Sequence, residues 1–143
     1  MKLKLKIITP ERVLLDSEID SLSCHTQMGE ITILPGHIPL VANLAAGELK
    51  VVESDQSRFM AVTGGVIEVR PANDIVVLAD AAEEAHEIDV ERAEEARERA
   101  RKIMSEKTLS EEEYAQTAAA LEKSLARIRV ARKGKYRNLH VSS

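Results

Sequence analysis

The chain has 143 residues, 44% of them hydrophobic but only 2% aromatic, so its core must be aliphatic. The length suits one ordinary domain or two small ones, and no apolar run approaches the ~20 residues of a membrane span. The net charge of −4 hides an asymmetry: residues 1–84 carry 7 basic and 13 acidic side chains, residues 85–126 carry 7 and 11, and residues 127–143 carry 6 and none.

A basic, acid-free tail on an acidic protein points to an acidic partner. With so few aromatics to stack on bases, nucleic acid is not that partner. The start, Met1-Lys2-Leu3-Lys4-Leu5-Lys6, alternates instead of forming an apolar block, so no signal peptide is expected. The single cysteine, Cys24, has no internal disulfide partner, suits a reducing compartment and reads as an apolar filler. His25, His37, His86 and His140 show no metal-ligand spacing, so no metal site is expected.

In chain order, Lys2 to Ile8 alternates Lys with Leu3, Leu5 and Ile7, the period of a half-buried strand, and Pro10 ends it. Arg12 to Leu15 and Ile19 to His25 read as two further strands. Met28-Gly29 is a turn, Glu30 to Leu34 a strand, and Pro35-Gly36 a stop. His37 to Asn43, with Pro39, is expected to be an ordered loop or edge. Gly47 to Glu53 and Arg58 to Thr63 flank a hairpin turn at Asp55-Gln56-Ser57. Gly64-Gly65 marks a bulge or a close backbone approach. Val66 to Arg70, a turn at Pro71 to Asp74, and Ile75 to Ala79 complete the half. Regular short strands of this kind predict an antiparallel β-sandwich of about ten strands.

The back half changes period. Asp89 to Met104 has no Gly or Pro, and Ala93, Ala96, Ala100 and Ile103 form a stripe at helical spacing. Ser110 with Glu113 is a capping box. Tyr114, Ala118, Leu121, Leu125 and Ile128 then predict an a/d seam, on a helix running to about Lys133 and stopping at Gly134. The fold class is therefore α+β: a sandwich over residues 1–84, then a two-helix antiparallel hairpin over residues 85–143. The seam of the first helix is mostly alanine, and an alanine seam buries little apolar area, so the hairpin should dock only marginally.

Ile88-Asp89-Val90-Glu91-Arg92-Ala93 stands at the boundary. Asp89 is a good N-cap, and Arg92 and Arg99 lie on one face of the helix. A helix N-terminus flanked by two guanidinium groups can hold a polyphosphate. The same residues also describe an ordinary capped helix with solvated charges. No nucleophile with a paired base and no P-loop is present, which leaves no basis for an enzyme.

Gly29-Glu30-Ile31-Thr32-Ile33-Leu34-Pro35-Gly36-His37-Ile38-Pro39-Leu40, Thr63-Gly64-Gly65-Val66-Ile67-Glu68-Val69 and the hinge Ala79 to Glu83 resemble the epsilon subunit of the bacterial F-type ATP synthase. The resemblance covers nearly the whole chain. It implies a non-catalytic rotor subunit at the cytoplasmic face of the plasma membrane. Its sandwich would bind the gamma subunit and the membrane c-ring, with Glu30 and His37 at that interface. Its helical pair would act as a mobile brake on ATP hydrolysis, carrying a basic end that includes Arg129, Arg132, Lys133, Lys135 and Arg137 to the alpha/beta head. Ile88, Asp89, Arg92 and Ala93 match an I/L-D-x-x-R-A motif with which some members bind ATP as a regulatory ligand. By similarity Glu83, Arg99, Lys123 and Arg127 join that site. Lys123 departs from the arginine of tight binders, keeping the charge but losing the planar fork. The alternative is a stalk subunit whose helices are a static clamp and sense no nucleotide.

Overall fold

The computed structural model describes residues 1–106 and 108–141, the last eight of these as backbone. Strand β1 (Leu3–Ile8) realises the opening alternation: Leu3, Leu5 and Ile7 are buried and the lysines between them face water. Strand β2 (Val13–Ile19) runs further than expected because Leu15 and Ile19 keep the two-residue period across Asp16-Ser17-Glu18. The break before β3 (Ser21–Thr26) falls at Asp20, whose carboxylate accepts from the Ser54 N–H at 2.8 Å and pairs with Lys2 at 3.2 Å.

Strand β4 (Gly29–Ile33) folds back on β3. Strand β5 (Leu40–Leu44) occupies part of the segment expected to be a loop or edge. Pro39 stands just before it, where no ladder hydrogen bond is lost. Strands β6 (Gly47–Glu53) and β7 (Gln56–Val62) form a hairpin whose turn is Ser54-Asp55, both at positive φ, so the turn comes before Gln56 and Ser57. Strands β8 (Gly65–Arg70) and β9 (Asp74–Ala79) follow, and a short β10 (Ala82–Glu84) pairs with β7 where only a hinge was expected.

The strands form one sheet in the order β10-β7-β6-β3-β5-β8-β9-β1-β2, with β4 also on β3. It folds over on itself, and the Asp20 N–H donating to the Val52 carbonyl at 2.8 Å nearly closes it. Among the described residues all pairs are antiparallel except one: β1 runs parallel to β9. The interior is aliphatic, with Leu3, Leu5, Ile7, Ile19, Leu22, Ile33, Leu49, Ile67, Ile75 and Val77 all shut off from solvent. Cys24 lies among them, and burial pushes its thiol up to about 11. Gly65 has φ +138°, and a Cβ there would sit 2.0 Å from the Leu78 carbonyl oxygen. The close backbone approach expected of Gly64-Gly65 is thus present.

A 3-10 turn (Ala85–Glu87) leads into helix α1 (Val90–Glu106) and then helix α2 (Glu111–Val141). Ser110 and Glu113 form the expected box: the Glu113 N–H donates to Ser110 Oγ at 3.2 Å, and the Ser110 N–H to Glu113 Oε1 at 3.4 Å. Ala93 and Ala100 are buried as the alanine stripe requires. Two expectations fail. Tyr114 is 54% exposed and not buried in the seam. Nor does α2 stop at Gly134; it continues to Val141. A mid-helix glycine costs only about 1 kcal/mol relative to alanine, and no proline follows to break the helix.

Candidate functional site at the hairpin junction

The two glutamates of β10 point to opposite faces, as neighbours on a strand must. Glu84 pairs with Arg58 of β7. Glu83 faces α2, where Arg127 meets it: Nη2 donates to Oε2 at 3.1 Å and Nε lies 2.9 Å from Oε1. The Nε–H points off the line to that oxygen, so the second contact is electrostatic. The 3-10 turn is tied down separately. Arg12, from the β1–β2 turn, grips Glu87 with one nitrogen at 2.7 and 3.0 Å from its two oxygens. Burial would push Glu87 up, but the Glu84 N–H and the Arg12 guanidinium outweigh it and hold the carboxyl below its usual range.

Ile88 is buried with Ala61, Val130 and Ala131, beside Phe59 and Ala85. This small cluster joins the hairpin to the sandwich. Asp89 caps α1, its Oδ1 accepting from the Arg92 N–H at 3.1 Å, and Ala93 is fully buried one turn on. The contact of Ile88 with Val130 and Ala131 fixes the hairpin register. One turn forward from Ile88 is Arg92, and one turn back from Ala131 is Arg127, so these two stand about level. Two turns further along α1 is Arg99, about one turn beyond Lys123 on α2. Among the described residues, the side chains of Arg92, Arg99 and Lys123 make no ion pair or hydrogen bond and are exposed. Arg99 lines a shallow cleft with Glu98, Arg101, Lys102 and Ser105.

The structure thus joins Glu83 to Arg127, Asp89 to the start of α1, and Ile88 to the docking cluster. It leaves Arg92, Arg99 and Lys123 as free cations along the hairpin. Sequence reasoning passed over Arg97, which lies four residues after Ala93 and three before Ala100 and so shares their buried stripe; that spacing was the available signal. Its Nε is 3.4 Å from Glu98 Oε1 and is buried without an aligned hydrogen-bond partner.

The other expected positions are spread over the surface. Glu30 is exposed on β4, and His37 is half-buried in the following loop, with Nδ1 2.7 Å from the Ile38 carbonyl. In the same stretch of chain Met28, Leu34, Ile38 and Val41 are large exposed apolar side chains, which the motif reading did not single out. Arg129 and Arg132 are exposed on α2, whereas Lys133 is paired with Glu48 of β6. Lys135 and Arg137 lie outside the described side chains. Glu84, His86 and Glu87 bring their ligand atoms within 4.8 Å of one another, but both carboxylates are already held by arginines.

A folded sheet carrying a hairpin of helices, with no described helix long and apolar enough to cross a membrane, defines a two-part protein whose helices ride on a sandwich. Residues 2–85 match the family model "ATP synthase, Delta/Epsilon chain, beta-sandwich domain", and residues 86–132 match "ATP synthase, Delta/Epsilon chain, long alpha-helix domain". An ATP synthase epsilon chain from Dehalococcoides mccartyi is 44% identical over 132 residues, 92% of this chain and 94% of its own length. That of Syntrophobacter fumaroxidans is 43% identical over 92% of this chain and 97% of its own. A chain in the Euglena gracilis mitochondrial ATP synthase OSCP/F1/c-ring structure is 25% identical, with a TM-score of 0.75 over 85% of this chain and 76% of that one. The chain belongs to the ATP synthase delta/epsilon family, among its epsilon chains.

Proposed function

We propose that this chain is a central-stalk rotor subunit of an F-type ATP synthase and that its hairpin is a nucleotide-sensitive brake. The subunit itself carries no catalysis; it sits peripherally at the cytoplasmic membrane face as part of the synthase. The sandwich holds gamma and the c-ring, through a surface that includes Glu30, His37 and the exposed side chain of Ile38. Arg129, Arg132 and Lys133 meet acidic segments of the alpha/beta head when the helices extend.

The observation that carries this reading is the arrangement of charge in the folded hairpin. Arg92, Arg99 and Lys123 stand unpaired along a hairpin whose second helix docks on the sandwich through one small apolar cluster and two ion pairs. Their mutual repulsion favours opening. A polyanion between them removes it and lets the Glu83-held fork of Arg127 add a charge-assisted contact. ATP then shifts the equilibrium by no more than its preference for the folded form. Calorimetric titration of ATP into the isolated protein, with Arg99→Ala as control, tests this. Saturable one-to-one binding lost in the control is expected. Flat heats at millimolar ATP would leave the static clamp, in which Asp89 is only a cap and Arg92 only a surface charge.

A further inference from the structure

The outer face of the sheet beneath α2 carries a row built by strand register. Glu83 of β10 lies opposite Ala61 of β7, and Ala61 lies opposite Glu48 of β6. The row therefore reads carboxylate, methyl, carboxylate across two strand gaps. Two gaps span ~9.5 Å. On α2, Arg127 meets Glu83 and Lys133 meets Glu48, and six residues of helix rise ~9 Å. The two lengths match, so α2 crosses the strands with one cation over each carboxylate.

The angles agree as well. Val130 is three residues from each cation, which sets them at about 60° on either side of it. Val130 is fully buried, in the same cluster as Ala61. The small Ala61 side chain lets the helix come down between the two carboxylates. Phe59 completes the far end: it is diagonal to Glu48 on the same face, and the Lys133 Nζ sits 4.7 Å from its ring centroid. The Glu48 side chain is only 14% exposed, and Lys133 is what keeps that carboxylate paired.

We propose that Glu83, Ala61 and Glu48 form a docking ruler for α2, with Glu48 and Phe59 as its distal catch, and that this catch masks Lys133 while the hairpin is folded. The proposal rests on the reading that the hairpin leaves the sandwich. It adds that two sandwich residues outside the nucleotide positions, Glu48 and Phe59, set how readily it leaves. A register slip by one turn would move Lys133 off Glu48 and Arg127 off Glu83 together, so the two pairs also select a single docked position.

Amide exchange of residues 126–133 in the full-length isolated protein, without nucleotide, tests the catch. Lys133→Met removes both contacts and should speed exchange there about tenfold, and Glu48→Gln about threefold, with the β1 and β9 amides unchanged. Unchanged exchange in Lys133→Met would overturn the proposal. So would equal acceleration in β1 and β9, since that means general destabilisation. Hydrolysis by the reassembled synthase separates this from the brake. With Glu48→Gln, a larger inhibited fraction is expected, because Lys133 is released. Faster exchange with unchanged inhibition would uphold the catch and reject the inhibitory role of the basic end.

Discussion

Arg127 on α2 and Glu83 on β10 are 44 residues apart in sequence and lie edge to edge, Nε to Oε1 at 2.9 Å and Nη2 to Oε2 at 3.1 Å. The pair couples the last strand of the sandwich to the helix that docks on it. It also uses one edge of the guanidinium fork and leaves the rest free for an anion. Glu83→Gln should loosen the fork and weaken ATP binding about fivefold while leaving the sandwich folded. Unchanged affinity in calorimetry would mean that the pair is structural only.

Asp89 caps α1, and in the proposed brake it is a nucleotide ligand as well. As a cap it is worth about 1 kcal/mol, a contribution that asparagine or serine reproduces. As a nucleotide ligand it needs its charge. Asp89→Asn should therefore keep α1 helicity, read by circular dichroism, yet weaken ATP binding. Asp89→Ala should lose both. Full ATP affinity in Asp89→Asn would restrict the residue to capping.

Gly65 admits no other residue. Its φ of +138° disfavours an L side chain, and a Cβ would meet the Leu78 carbonyl oxygen at 2.0 Å. Gly65→Ala must push the start of β8 away from the end of β9. A loss of about 3 kcal/mol or more is expected, visible as a lower denaturant midpoint. A shift under about 1 kcal/mol would show that the strands separate easily.

Cys24 sets an alkaline limit. Burial raises its thiol from 9.0 to about 11, so the folded chain keeps it protonated while the unfolded chain ionises it. A raised folded value gives a contribution that is complete below the unfolded pKa and is lost as pH rises through the folded one. Stability should therefore fall between about pH 9 and 11, and Cys24→Ala should flatten that segment of the pH profile. At pH 8 the thiol should resist alkylation until the protein unfolds.

Removing residues 88–143 takes away both helices and uncovers Phe59 and Ala61 on an otherwise intact outer face. The shortened chain should still assemble with the synthase and should relieve inhibition of hydrolysis. Loss of coupling between proton flow and synthesis would instead make the helices part of the structural joint.

Much of this architecture is local enough to read from residues. The Lys/Leu alternation of β1, the Ser110–Glu113 box and the Gly64-Gly65 approach are each decided within a few positions. The β1–β9 pairing and β10 were not legible, since parallel pairing and a three-residue edge strand depend on where distant segments meet. Gly134 misled for a related reason: a glycine ends a helix only when the chain gains by turning there. At the candidate site, the I-D-x-x-R-A positions were readable as a motif. That Glu83 takes Arg127 and Glu48 takes Lys133 was not, because both partnerships follow from register across β10, β7 and β6.

The parallel pairing of β1 with β9 also has a consequence for synthesis. Strand β1 is held between β2 and β9, so everything from β1 through β9 must leave the ribosome before the sheet can fold over on itself. Until then the apolar side of β1 has only its hairpin partner and stays open to nascent neighbours. Pairings between segments this far apart in sequence are slow to form. The helices are made after every strand of the sheet, so they emerge onto a docking face that is already built.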